Sequence, residues 1–198
     1  METNFFETNS YFVDEKVNVL QFNNIYKIYN DQGVMIGSIV QKLTTGEKLQ
    51  ILVLSKKFLP FNLEVRDSRD QLLATLTRGW TLFMSKTLII DPQGNITGTI
   101  QQEFKFFKPT FVLLNKSNEV KANITGNWTA RKFVIKNSFE VKIAYITKKW
   151  AGLAREMFTT SDKYLVEIEP KYSSDESKLA ILCCAINIDM VYKSKNNE

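Results

Sequence analysis

The chain has 198 residues, of which 44% are hydrophobic and 24% charged, a balance that suits one folded domain over residues 1–198 and excludes a disordered chain. It contains no histidine, which rules out Ser-His-Asp and Cys-His triads, a histidine general base and every histidine metal site. Lys plus Arg number 26 against 21 Asp plus Glu, and this surplus of +5 favours anionic partners.

The opening residues, METNFFETNS, lack a basic stretch followed by an apolar one, so no signal peptide is expected. The run from Tyr11 to Phe22 reads as a strand. Five segments then share one grammar: an alternating apolar run, an Asx residue, and a second alternating run. They begin at Tyr26, Leu63, Leu88, Phe111 and Phe133, and their turn anchors are Asn30, Asp67, Asp91, Asn115 and Asn137. Asx side chains bond to the backbone two residues on, so they start tight turns. Gly33 and Gly94 supply the positive φ at which a hairpin reverses.

In four of the units an apolar pair stands two and four residues before the anchor: Tyr26/Ile28, Leu63/Val65, Phe111/Leu113 and Phe133/Ile135. Period two is the mark of a half-buried strand. An aromatic follows the anchor by 13 residues in the last four units, at Trp80, Phe104, Trp128 and Trp150; Leu43 takes that place in the first. These aromatics read as core or rim residues closing each hairpin rather than as a ligand cage. Trp150 to Phe158 fits a turn or two of helix, residues Thr159 to Asp162 a cap or turn, and Tyr164 to Ile168 a last strand.

The end of the chain reads as a helix. Ser173 and Ser174 offer a cap, Asp175 and Glu176 suit the dipole of the first turn, and Lys178 to Tyr192 is apolar nearly all round, interrupted only by Asn187 and Asp189. Such a helix is buried or in lipid, and this one is shorter than the ~20 residues that span a bilayer. A long antiparallel meander is freed of its edges by closing into a barrel, and a wide barrel needs something in its lumen. The fold class is therefore mainly β: a closed antiparallel barrel of about twelve strands around a central hydrophobic C-terminal α-helix. Cys183 and Cys184, the only cysteines, then become small buried hydrophobes, and the absence of a disulfide framework points to a reducing compartment.

Chemistry is not legible in the sequence. Glu156 and Asp162 flank a predicted turn and read as a surface carboxylate and a cap rather than an acid/base pair. No catalytic residue, metal ligand or cofactor is assigned. The lysine doublets, Lys56-Lys57 among them, read by themselves as solvated surface. No zinc-finger spacing, basic helix or RNP motif is present, so no nucleic-acid partner is expected.

Several stretches carry a resemblance: LPFNLEVRD (Leu59 to Asp67), RGW (Arg78 to Trp80), KKWAGLAREMFTTSDKYLVEI (Lys148 to Ile168) and INIDMVY (Ile186 to Tyr192). On these the chain resembles the phospholipid scramblases and the LURP-one-related proteins, which share the tubby-like fold, and is most similar to small bacterial members. The resemblance implies a protein that binds anionic phospholipid at a membrane surface. It would be cytoplasmic and peripheral at the inner face of the plasma membrane. The alternative it implies is a non-enzymatic LURP-one-like module with a protein partner. The expected lipid-binding residues are Lys148, Lys149 and Arg155 in the long block, with Arg131 and Lys132 beside them. Two features depart from the calcium-regulated scramblases. Glu169, Asp175 and Glu176 do not reproduce the spacing of a calcium loop, and the cysteine-rich N-terminal extension that carries an acyl anchor is missing.

Overall fold

The computed structural model describes residues 4–18, 23–42, 60–80, 84–103, 110–127, 132–147 and 163–196. Twelve strands follow one another among them: β1 (Ser10–Asn18), β2 (Asn23–Tyr29), β3 (Met35–Gln41), β4 (Phe61–Asp67), β5 (Leu72–Arg78), β6 (Lys86–Ile90), β7 (Ile96–Glu103), β8 (Thr110–Asn115), β9 (Val120–Asn127), β10 (Lys132–Asn137), β11 (Lys142–Thr147) and β12 (Lys163–Ile168). Each pairs antiparallel with its neighbours in sequence, and β1 closes the ring against β12 with Ser10 opposite Glu167 and Asp14 opposite Lys163. Closure removes the exposed edges that a meander of this length would otherwise present.

The five Asx anchors build five copies of one turn. In each, Oδ1 of the anchor accepts the backbone N–H groups two and four residues on, at 2.8–3.0 Å: Gln32 and Val34 for Asn30, Arg69 and Gln71 for Asp67, Gln93 and Asn95 for Asp91, Ser117 and Glu119 for Asn115, Phe139 and Val141 for Asn137. The residue three positions after the anchor takes positive φ in every case: Gly33, Asp70, Gly94, Asn118 and Glu140. A register shift accompanies each hairpin, the bulge expected when a left-handed residue follows a short turn. Glycine therefore supplies the reversal in only two of the hairpins.

The apolar pairs ahead of the anchors all point inward; Tyr26, Ile28, Leu63, Val65, Phe111 and Ile135 are fully buried, and Phe133 and Leu113 nearly so. They meet helix α1 (Asp175–Asn196), which follows β12 and a short 3-10 turn (Pro170–Tyr172) and runs through the lumen. Ser174 caps it, its Oγ accepting the Ser177 N–H at 3.3 Å. Every residue from Ile181 to Asp189 is buried. Side chains on all sides of this helix thus face β-strands, so the usual polar stripe of a surface helix is absent. Among the described residues no helix is long and apolar enough to cross a membrane.

The first residues belong to the core as well. Phe5 is buried, stacks edge-on against Phe6 at 5.0 Å and lies 5.6 Å from Tyr11, whose hydroxyl donates to the Phe5 carbonyl at 3.2 Å. Lys178 Nζ, in the first turn of α1, donates to the Phe6 carbonyl at 2.6 Å. The segment before β1 is thereby tied to the mouth of the barrel where α1 enters.

Candidate functional site

Topology gives the barrel two unlike ends. The five Asx hairpins, the opening segment and the entry of α1 share one end. The strand ends that lead into and out of residues 19–22, 43–59, 81–83, 104–109, 128–131 and 148–162 lie at the other.

Charge follows the same division. The links at the hairpin end, residues 30–34, 68–71, 91–95, 116–119, 138–141 and 169–174, contain three basic residues against six acidic. The sequence between consecutive strands on the opposite side, Lys42 included, contains ten basic residues against three acidic. In sequence, then, one set of strand links is acidic and the other basic.

The described flank of the basic end carries further cations. Lys86 and Lys132, at the starts of β6 and β10, are exposed, while Lys42 is held 3.6 Å from Glu64. Arg78 is different: it is only 3% exposed and sits 4.6 Å above the Phe61 ring. Burial lowers its pKa to about 10, which still leaves it cationic at neutral pH. Both halves of that pair come from the resemblance-bearing stretches, Phe61 from the segment ending at Asp67 and Arg78 from RGW.

Of the expected lipid-binding residues, Lys132 is described. It lies opposite Asn127 and Thr147 in the sheet, so the strand ends leading into residues 128–131 and 148–162 stand side by side. Arg131, Lys148, Lys149 and Arg155 lie outside the described residues, as do Glu156, Asp162, the expected short helix from Trp150, and the aromatics Phe104, Trp128 and Trp150. Trp80 is described, and at 58% exposure it belongs to the rim of the basic end rather than the core.

Polar groups line parts of the lumen. Thr87 Oγ1 donates to Asn187 Oδ1 at 2.7 Å, and the Tyr26 hydroxyl bonds to Asp189 Oδ2 at 3.2 Å. Burial, then the neighbouring Asp189 charge, raises the pKa values of Tyr26 and Tyr164 well above the usual tyrosine range. Asn187 and Asp189, the two interruptions of the apolar helix, are therefore where it bonds to the wall. Cys183 and Cys184 are buried free thiols, and burial pushes Cys184 up to about 12. Such thiols are poor nucleophiles, in keeping with a packing role.

A groove of about 240 Å³ opens at the acidic end beside the first turns of α1. Leu73, Ile89, Leu113, Leu179 and Ala180 form its apolar walls. Asp91, Asp175 and Glu176 stand at its edge with Lys121, which pairs with Glu176 at 2.9 Å. Asn95, through its side chain and backbone, holds the Asp91 carboxyl below the usual carboxylate range. Sequence periodicity assigns these apolar residues to strand and helix interiors; only the tertiary structure shows that they leave a groove between them. Asp175 and Glu176 line this groove, whereas Glu169 pairs with Lys142 at 2.6 Å; among the described residues no group of three or more such side chains converges on a metal-binding geometry.

The described residues thus form a closed antiparallel barrel wound round its own terminal helix. The chain belongs to the Scramblase family, whose model matches residues 13–195. It is also similar to the X-ray structure of a protein from Arabidopsis thaliana, with a TM-score of 0.52 over 92% of this chain and 94% of that one. The identity is 9%, so that likeness is one of fold. No curated protein matches the chain.

Proposed function

We propose that this protein docks on anionic phospholipid at a membrane surface through the basic end of its barrel. The observation that carries the reading is the separation of charge between the two sets of strand links. Lys132, Lys148, Lys149, Arg155 and Arg131 are the residues assigned to phosphate oxygens, each worth ~1 kcal/mol beside an anionic surface. Lys132 supports the reading in being exposed at a strand start and, among the described residues, without an ion-pair partner. Scramblase membership supports a lipid-facing role. The cytoplasmic face of the plasma membrane, rich in anionic lipid, is the corresponding location.

Binding rather than translocation is the role assigned. A headgroup needs a polar path across ~30 Å of hydrocarbon. The lumen of this barrel is occupied by the buried residues of α1.

Flotation with vesicles tests the reading. Co-flotation is expected with phosphatidylserine-containing vesicles at low salt. It should fall at 1 M salt, where the screening length is about 3 Å. Lys132→Glu combined with Lys148→Glu and Lys149→Glu should abolish it. Equal flotation with purely zwitterionic vesicles, or none with anionic ones, would overturn it.

A further inference from the structure

The acidic end carries features that lipid docking at the other end does not use. Six large hydrophobic side chains are exposed on its turns and the strand starts beside them: Val34, Met35, Ile96, Val120, Phe139 and Val141. Phe139 is 84% exposed, and it follows Asn137 by two residues, at the tip of its hairpin. Ile96, Val120, Phe139 and Val141 come from three consecutive hairpins, β6–β7, β8–β9 and β10–β11, two of which also supply walls of the groove. Turn tips are ordinarily polar, and large hydrophobics clustered on one end of a protein mark an interaction surface.

Charge narrows the occupant. Asp91 and Asp175 at the groove edge have no ion-pair partner among the described residues. This surplus repels a phosphate headgroup and attracts cations. The apolar groove can take an anchoring side chain, the usual centre of a protein interface. We infer that the hairpin end binds a basic segment of a partner protein, with an apolar side chain of that segment seated between β5–β8 and the first turns of α1 and its lysines or arginines facing Asp91 and Asp175. The barrel then presents opposite ends to two partners: membrane below, basic polypeptide above. The inference does not depend on the lipid reading.

The probe is a fluorescent peptide of alternating Lys and Leu, measured by anisotropy against the same peptide with Glu in place of Lys. Saturable binding of the first and none of the second is expected. Asp91→Asn with Asp175→Asn should weaken binding about tenfold, as loss of interfacial charge pairs does. Ala180→Met, which fills the groove, should do the same; Thr97→Trp, on an exposed residue at the groove, obstructs it without entering the core. Lys132→Glu should leave peptide binding unchanged. Equal binding of both peptides, or indifference to both groove-filling variants, would overturn the inference. Failure of vesicle flotation alone would not.

Discussion

The Tyr26 hydroxyl lies 3.2 Å from Asp189 Oδ2, joining the second strand to the terminal helix across 163 residues of sequence. Both groups are buried. A carboxylate taken into a barrel lumen is tolerable only where donors surround it. Tyr26→Phe removes one donor and leaves the ring's packing intact. We expect it to lower stability by about 2 kcal/mol, the usual range for a buried hydrogen bond to a charged group. Urea denaturation should show a reduced midpoint with an unchanged slope; an unchanged midpoint would mean that the bond contributes nothing.

Ala185 and Ile181 are 1% and 2% exposed on the helix that the barrel encloses. Aspartate at either position places an uncompensated charge among apolar neighbours, at a cost of about 3–5 kcal/mol, a large part of a domain's stability. Because α1 is the core of the barrel, the loss should be global. Circular dichroism of Ala185→Asp should lose the β signal along with the helix. A mutant that keeps a cooperative β-sheet transition with only its helix frayed would refute the enclosure of α1.

Glu140 holds a φ of 60° at the left-handed position of the β10–β11 turn, a conformation that costs a non-glycine residue roughly 1–2 kcal/mol. Its side chain pairs with Lys136 at 3.1 Å on the surface, where such pairs contribute about 0–1 kcal/mol. The strain costs more than the pair contributes, so Glu140→Gly should raise the melting temperature. The partner experiment, Asn137→Ala, removes the acceptor of two backbone N–H groups and should lower stability by about 1 kcal/mol. If Glu140→Gly melts lower than the parent, the surface pair outweighs the strain.

Alkaline pH should unfold the protein early. Cys183, Cys184, Tyr26 and Tyr164 all have pKa values raised above their usual ones, chiefly by burial. A raised pKa keeps the folded state protonated where the unfolded chain has already lost its proton. The stability these groups confer is complete below the unfolded thiol value of 9.0 and declines as pH climbs towards about 12, the folded value of Cys184. Melting temperature should therefore be flat to pH 8 and fall from about pH 9. Cys183→Ala with Cys184→Ala should move the onset up towards the tyrosine range near pH 10. An onset unchanged by the double substitution would locate the effect elsewhere.

Much of the barrel was legible because its instructions are local. Asn30, Asp67, Asp91, Asn115 and Asn137 each shape a turn by reaching only four residues ahead, and Leu63/Val65 or Phe133/Ile135 mark an inward face through alternation alone. The site was less legible. Lys132 could be named as basic and exposed, but nothing near it in sequence says which end of a barrel it occupies. Leu73, Ile89, Leu113 and Leu179 look like ordinary core residues one by one.

Turn chemistry and hydrophobic period, which act over a few residues, were enough to specify five hairpins and an apolar helix in need of enclosure. The tertiary structure alone decided which residues meet. It set Asp189 against Tyr26 and Asn187 against Thr87, and left a groove where helix and strands diverge. These outcomes depend on closure of the ring, which brings β1 against β12, and on long-range contacts that no local spacing encodes.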